Sequence, residues 1–291
     1  MPKLPQSTSA PAVPGLPTAA RRRVRALLRR VAAATAPALP EQALNRLAAL
    51  RAWQSGLAVG LPAYARVLVL APHPDDESLA AGGTLALLSD AGSAVTIVAA
   101  TDGEASLASG VGAVALAARR RAELRRAAMV LGVSEVRFLG YRDTGLHTAR
   151  GELAADLRAL LAELRPQLLV LPWAGDAPGD HAALNLALAD AGVPADAAVW
   201  GGEVWTPVPA NRLVDISAAV TRKQAALAAH GTAAGAFDLV AVLGLNRYRS
   251  IRGLRGRGHA EAFLACTGAQ FPAVVAACLR TIPEQDLADG C

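Results

Sequence analysis

From residue 66 to residue 172 the chain alternates short apolar runs with longer segments of helical periodicity. Val67-Leu68-Val69-Leu70 typifies the runs: an unbroken aliphatic stretch that reads as a buried strand. The pattern predicts strands over 66–71, 94–100, 134–139 and 167–172 and helices over 77–91, 113–131 and 151–164. Four strands separated by three helices, joined by short connections, predict an α/β fold. It is a Rossmann-like, doubly wound and mainly parallel sheet with right-handed crossovers and helices on both faces. Beyond residue 196 the pattern is less regular. It predicts a strand pair near 198–206 and 211–216, then helices over 217–230 and 235–247. No internal repeat is visible.

Composition refines this picture at the chain ends. The 291 residues are 53% hydrophobic and 18% charged, which permits a sizeable core and excludes wholesale disorder. Residues 1–20, rich in Pro, Ser, Thr and Ala, are expected to form a disordered tail. Residues 21–60 read as a basic helical arm, with Val24, Leu27, Leu28 and Val31 on one face and arginines on the other. A body over 61–270 and a C-terminal tail over 271–291 complete the expected organisation. Lys3 and eight arginines stand against Glu41 within residues 1–51, so the arm carries the whole net positive charge of +5 and the body is mildly acidic. A basic groove for nucleic acid is therefore not expected. No apolar stretch reaches the roughly 18 residues of a membrane-spanning helix. Arg21-Arg22-Arg23 imitates the start of a signal peptide, but Arg29, Arg30, Pro37 and Pro40 interrupt the apolar run beyond it, and export is not expected. Cys266, Cys278 and Cys291 lack a C-x-x-C spacing and an even count; a reducing, cytoplasmic location fits them.

Polar residues gather where the predicted strands end. His73, Asp75 and Asp76 follow the first strand, Thr101-Asp102-Gly103-Glu104 the second, Tyr141-Arg142-Asp143 the third, and Trp173 through Asp180-His181 the fourth. In an open parallel sheet these four clusters converge on one rim. The chain has five histidines, and His73 and His181 both follow strand ends close to aspartates. With Asp76 they make a two-histidine, one-carboxylate set with open positions, which suits catalytic Zn²⁺ and also non-haem Fe²⁺. Taken singly, Asp75 or Asp76 could as well cap the helix beginning near Glu77, and Asp180 the helix after the fourth strand. Their joint occurrence at two strand ends favours chemistry.

These residues carry a resemblance. Ala71-Pro-His-Pro-Asp-Asp-Glu77 resembles the signature of the LmbE/PIG-L family of zinc-dependent N-acetylglucosaminyl deacetylases. Thr101-Asp-Gly-Glu104, Arg120-x-x-Glu123-Leu124, Leu139-Gly-Tyr-Arg-Asp143 and Asp180-His181 agree in order. So do Glu203-Val-Trp-Thr-Pro207, Lys223 to His230, Gly244-Leu-Asn-Arg-Tyr-Arg249 and Ala260-Glu-Ala-Phe263. The resemblance covers roughly residues 65–265 and makes the body an LmbE-like deacetylase domain. It implies His73, Asp76 and His181 as zinc ligands, Asp75 as general base, Arg120 and Asp143 as contacts to substrate hydroxyls, and Asp180 as a supporting partner. It also implies a small-molecule amino-sugar conjugate as substrate, losing its acetyl or other acyl group to a metal-activated water. A homo-oligomer is left open.

One departure stands out. The family commonly shows His-Pro-Asp-His where this chain has Pro178-Gly179-Asp180-His181, so an auxiliary acid is missing. His259 stands where the family often has tyrosine before Ala-Glu-Ala-Phe, and either supplies the missing imidazole or is a plain surface histidine. The departure keeps a second reading open: a low-activity family member that binds metal and sugar. Metal content together with acetate release separates the two.

Overall fold

The computed structural model describes residues 57–106, 112–133, 135–176, 179–233 and 237–279. The expected tail and most of the basic arm, and Pro178, lie outside the described residues. Eight strands form one sheet: β1 (Ala58–Val59), β2 (Arg66–Ala71), β3 (Ala94–Thr101), β4 (Glu135–Tyr141), β5 (Leu168–Pro172), β6 (Ala198–Gly202), β7 (Arg212–Asp215) and β8 (Ala260–Thr267). Their order across the sheet is β1-β7-β8-β6-β5-β2-β3-β4, and β8 alone runs antiparallel to its neighbours. The helices are α1 (Asp76–Asp90), α2 (Ala113–Leu131), α3 (Arg150–Leu164), α4 (Gly179–Ala191), α5 (Val220–Ala229), α6 (Leu239–Leu254) and α7 (Phe271–Leu279). No helix among the described residues is long and apolar enough to cross a membrane.

Helices on both faces explain why the central strands are continuously apolar. Val67 and Val69 of β2 pack with Leu85 of α1 and Leu124 of α2 on one face. Leu68 and Leu70 pack with Leu157 of α3 and Leu184 of α4 on the other. All four β2 side chains are at most 2% exposed, which is what a strand covered on both sides requires. The chain leaves β2 towards β3 and β4, then returns to place β5 on the opposite side of β2. The order reverses there, and a crevice opens between the carboxyl ends of β2 and β5, where such sheets bind ligands.

Two expectations are corrected. The segments 198–202 and 212–215 are strands but do not pair with each other: β8 lies between them and bonds to both. Residues 271–279, expected within the tail, form α7, with Phe271 and Val275 buried against the face that carries α3 and α4.

Helix α1 contains an inserted ion pair. The Leu79 carbonyl, which a regular helix would offer to the Gly83 N–H, accepts from Lys223 Nζ at 2.8 Å. The Gly83 and Thr84 N–H groups donate to Glu261 at 2.9 and 2.8 Å. Lys223 and Glu261 pair with each other at 2.7 Å and are 0% and 1% exposed, so two opposite charges sit in the core and satisfy each other. The adjacent glycines make room. A Cβ at Gly82 would come within 3.2 Å of the Lys223 side chain, and one at Gly83 within 2.6 Å of Ile216.

Candidate metal centre

The turn joining β2 to α1 sets the site. Asp75 takes φ +132°, a conformation costly for any residue with a side chain, by about 1–3 kcal/mol. Its N–H is held by Glu77 Oε2 at 3.0 Å. Glu77 is itself fixed: its Oε1 accepts from Ser78 Oγ at 2.6 Å and contacts His230 Nε2 at 3.0 Å. The strained turn directs Asp75 and Asp76 apart. Asp76 Oδ2 accepts from the His73 N–H at 2.8 Å, closing the turn.

The helix-capping alternative fails at both strand ends. Asp75 occupies the N-cap position of α1, yet its side chain accepts no cap hydrogen bond. Instead its Oδ2 accepts from Arg120 Nη2 at 3.1 Å. The Asp180 carboxylate reaches across the rim and accepts from the Thr144 and Leu146 N–H groups at 2.8 and 3.1 Å.

The four clusters meet as the topology requires. His73 Nδ1 and His181 Nε2 lie 3.3 and 3.4 Å from the same atom, Asp76 Oδ2. Donor atoms about 2.0–2.1 Å from a tetrahedral Zn²⁺ lie roughly 3.3 Å apart, so the spacing is that of a ligand set. His181 Nε2 is buried and has no hydrogen-bond partner. His181 Nδ1 lies 2.9 Å from Asp176 Oδ2, which orients the ring so that Nε2 faces Asp76. His73 divides its nitrogens in the same manner. Nε2 faces Asp143 Oδ1 at 3.0 Å and Asp180 Oδ2 at 3.3 Å, while Nδ1 turns to Asp76. A second grouping, His73 with Asp143 and Asp180, also brings ligand atoms together. It offers one imidazole and two carboxylates, whereas His73, Asp76 and His181 offer two imidazoles, one with a nitrogen that has no hydrogen-bond partner, so they are the better donors.

The electrostatics agree. Burial raises Asp75, against the pull of Arg120, to about 7. Burial also acts to raise Asp76, but the charges of His181 and His73 and hydrogen bonds from them outweigh it and hold Asp76 well below the usual carboxylate range. Burial acts to lower His181, and the Asp76 charge overrides it and lifts the imidazole to about 9. The negative potential that keeps protons on these imidazoles is what a divalent cation would meet.

Arg120 is deeply buried and committed inward: it grips Asp75 and donates to the Pro74 and Gly103 carbonyls at 2.8 and 2.9 Å. A Cβ at Gly103, where φ is +66°, would lie 2.4 Å from its Nη1, so the glycine is what admits the guanidinium. One donor, the buried Arg120 Nε, has no partner. Asp143 spends one oxygen on His73 and the other on the Ala105 N–H, and its own N–H on Glu104. His259 precedes β8 and is tied to Ser217 and Ile216 through its backbone. Burial and the Arg247 charge lower its imidazole. No described contact joins it to the cluster.

The roles of three residues, Asp176, Glu77 and His230, escape the sequence reading. Asp176 is fully buried and binds the Trp205 and Thr206 N–H groups as well as His181. A carboxylate five residues before a candidate ligand is the signal that could have found it. Glu77 and His230 hold the Asp75 turn from positions 153 residues apart. Asp176→Asn removes the charge behind His181 and leaves one acceptor oxygen for the His181 ring and the Trp205 and Thr206 N–H groups together. The expected result is metal affinity about 10–100-fold weaker in chelator competition; unchanged affinity would remove Asp176 from the centre.

Comparison with known proteins agrees with this geometry. Residues 68–191 match the family model of PIG-L, GlcNAc-PI de-N-acetylase. A probable N-acetyl-alpha-D-glucosaminyl L-malate deacetylase 2 of Bacillus anthracis is 37% identical over 131 residues, covering 43% of this chain and 58% of that protein. The diacetylchitobiose deacetylase of Thermococcus kodakarensis is 35% identical over 108 residues, covering 37% and 40%. The chain thus spans about half the length of these curated relatives. Among solved structures, N,N'-diacetylchitobiose deacetylase from Pyrococcus horikoshii shares the fold with a TM-score of 0.62 at 24% identity, over 72% of this chain and 86% of that one. The conserved protein TT1542 from Thermus thermophilus gives 0.58 at 28% identity, over 68% and 93%. The sheet, the ordered strand-end motifs and these matches make residues 68–191 part of an LmbE/PIG-L family domain.

Proposed function

We propose that the chain is a metal-dependent amidohydrolase that removes an acetyl or related acyl group from an N-acetylated amino sugar or its conjugate. The observation that carries the proposal is the donor set: two imidazole nitrogens 3.3 and 3.4 Å from one carboxylate oxygen, with a second carboxylate, Asp75, beside the set and outside it. Zn²⁺ suits two imidazoles and a carboxylate, with Fe²⁺ the alternative. When bound, such a cation polarises the amide carbonyl and makes a water nucleophilic at neutral pH.

The protein's own groups do the rest. Asp75, raised by burial to about 7, accepts a proton from the attacking water and returns it to the departing amine nitrogen. Arg120 holds Asp75 in place through Nη2. Asp176 and the Asp143–Asp180 pair hold the far nitrogens of the two imidazoles, so that His181 Nε2 and His73 Nδ1 are turned to Asp76, and a bound cation would take the place of any proton there. The relatives' names support an amino sugar bearing an N-acetyl group as the substrate class.

The test uses the purified full chain. Metal content is measured by plasma mass spectrometry, and loss of acetyl is followed by mass spectrometry across a panel of N-acetylglucosamine conjugates. About one divalent metal per chain and acetate release that stops with chelator and returns with Zn²⁺ or Fe²⁺ are expected. Stoichiometric metal with no release from any conjugate would favour the binding-protein reading instead.

A further inference from the structure

A cavity of about 340 Å³ lies between the first turns of α1 and α6 and the segment after β6. Leu79, Trp205, Phe237, Val242 and Leu245 supply its apolar walls. An apolar cavity of about 150 Å³ accepts a benzene ring, so this one has room for a group of roughly bicyclic size. None of the candidate ligands lines it, but two of its lining residues connect it to the metal centre. Leu79 stands three residues beyond Asp76 on α1, a rise of about 4.5 Å. The Trp205 N–H donates to Asp176, the residue that orients His181. The proposed hydrolysis leaves this space unused.

The polar groups in the wall say what it can take. Glu203 is neutralised by Arg249 and also accepts from the Val208 N–H. Asp238 caps α6 by accepting from the Val240 N–H at 2.7 Å. Glu203 is therefore not left to recruit a cation, while Asp238 spends one oxygen on the helix cap. Asn246 differs: it is 5% exposed, lines the cavity, and its Oδ1 has no hydrogen-bond partner. A buried amide oxygen left unpaired in the protein is costly, and a ligand donor in the cavity would satisfy it. Trp205 remains half exposed, so an aromatic surface stays open to an arriving ligand.

We infer that this cavity is a subsite for an apolar substituent of the amino sugar, with one hydrogen-bond donor that meets Asn246. The inference rests on the amino-sugar reading and narrows it: conjugates with an aryl or alkyl group are preferred over the free sugar. The group can arrive as the aglycone or as a long N-acyl chain, since the walls read the same chemistry in both.

Two measurements on the metal-loaded full chain test it. Calorimetry compares phenyl β-D-glucoside, which has no amide to hydrolyse, with glucose. The phenyl glycoside is expected to bind at least tenfold tighter, and Ala241→Trp, which places an indole at the cavity wall, is expected to erase the difference. Acetate release then compares N-acetylglucosamine with its phenyl and octyl glycosides, and N-octanoylglucosamine reports an acyl route by release of octanoate. A kcat/KM ratio of apolar conjugate to free sugar of ten or more, falling to about one in Ala241→Trp, supports the subsite. The conjugate that shows the ratio names the route. A 4-hydroxyphenyl glycoside supplies the donor: Asn246→Leu is expected to remove its advantage over the phenyl glycoside while sparing that of the octyl glycoside over the free sugar. Equal binding of phenyl glucoside and glucose overturns the inference even if acetate is released. Tight, Ala241→Trp-sensitive binding without any hydrolysis leaves the subsite standing and overturns the functional reading.

Discussion

His181→Ala is expected to yield a chain that carries far less than one metal per molecule and releases no measurable acetate. The reasoning is geometric. His181 Nε2 is the fully buried donor of the set without a hydrogen-bond partner, and the α4 carboxylate at the rim, Asp180, is held by the Thr144 and Leu146 N–H groups. Loss of His181 leaves Asp76 with a single imidazole neighbour and Asp176 without the ring it orients. Asp176 keeps its bonds to the Trp205 and Thr206 N–H groups, so the loop after β5 is expected to hold its shape. Far-ultraviolet dichroism close to that of the parent, with metal lost by plasma mass spectrometry, is the pattern to look for. Near-stoichiometric metal in the variant would remove His181 from the ligand set.

The second large effect separates base from ligand. Asp75→Asn is expected to keep metal and fold while kcat falls by about 10²–10⁴-fold, the range that a general base contributes. The amide is nearly isosteric and can still accept from Arg120 Nη2, so the turn stays supported. It cannot take a proton from water. Wild-type turnover in Asp75→Asn would mean that another group is the base.

Much of the frame can be read along the chain because central parallel strands advertise themselves. The boundaries of β2, expected over 66–71, match the structure, and α2 does so over 113–131. In both, local pattern and tertiary burial ask for the same residues. Strand β8 is not legible, for the opposite reason. Ala260-Glu-Ala-Phe-Leu-Ala-Cys-Thr267 is rich in alanine and carries a charge at its second position, so it lacks a strand signal of its own. It is a strand through its pairing with β6 and β7, and Lys223, 38 residues earlier, neutralises the Glu261 that this pairing buries. The candidate site divides in the same way. His73, Asp75 and Asp76 stand in one short run and His181 at a second strand end. Asp176 and His230 gain their meaning only from partners that the fold brings to them.

The ion pair set into α1 bears on how far the reacting centre can be moved from its setting. The stretch matched by the family model, 68–191, contains His73, Asp75, Asp76 and His181. It contains neither Lys223 nor Glu261, the side chains that occupy the backbone groups of Leu79, Gly83 and Thr84. A fragment ended at residue 191 would deprive those three backbone groups of their side-chain partners in the middle of α1, the helix whose first turn carries Asp76. The candidate ligands lie in the first two thirds of the chain, while two charges from the last third complete the helix that bears one of them. Grafting the ligand segment onto another scaffold would therefore transfer the residues without those partners.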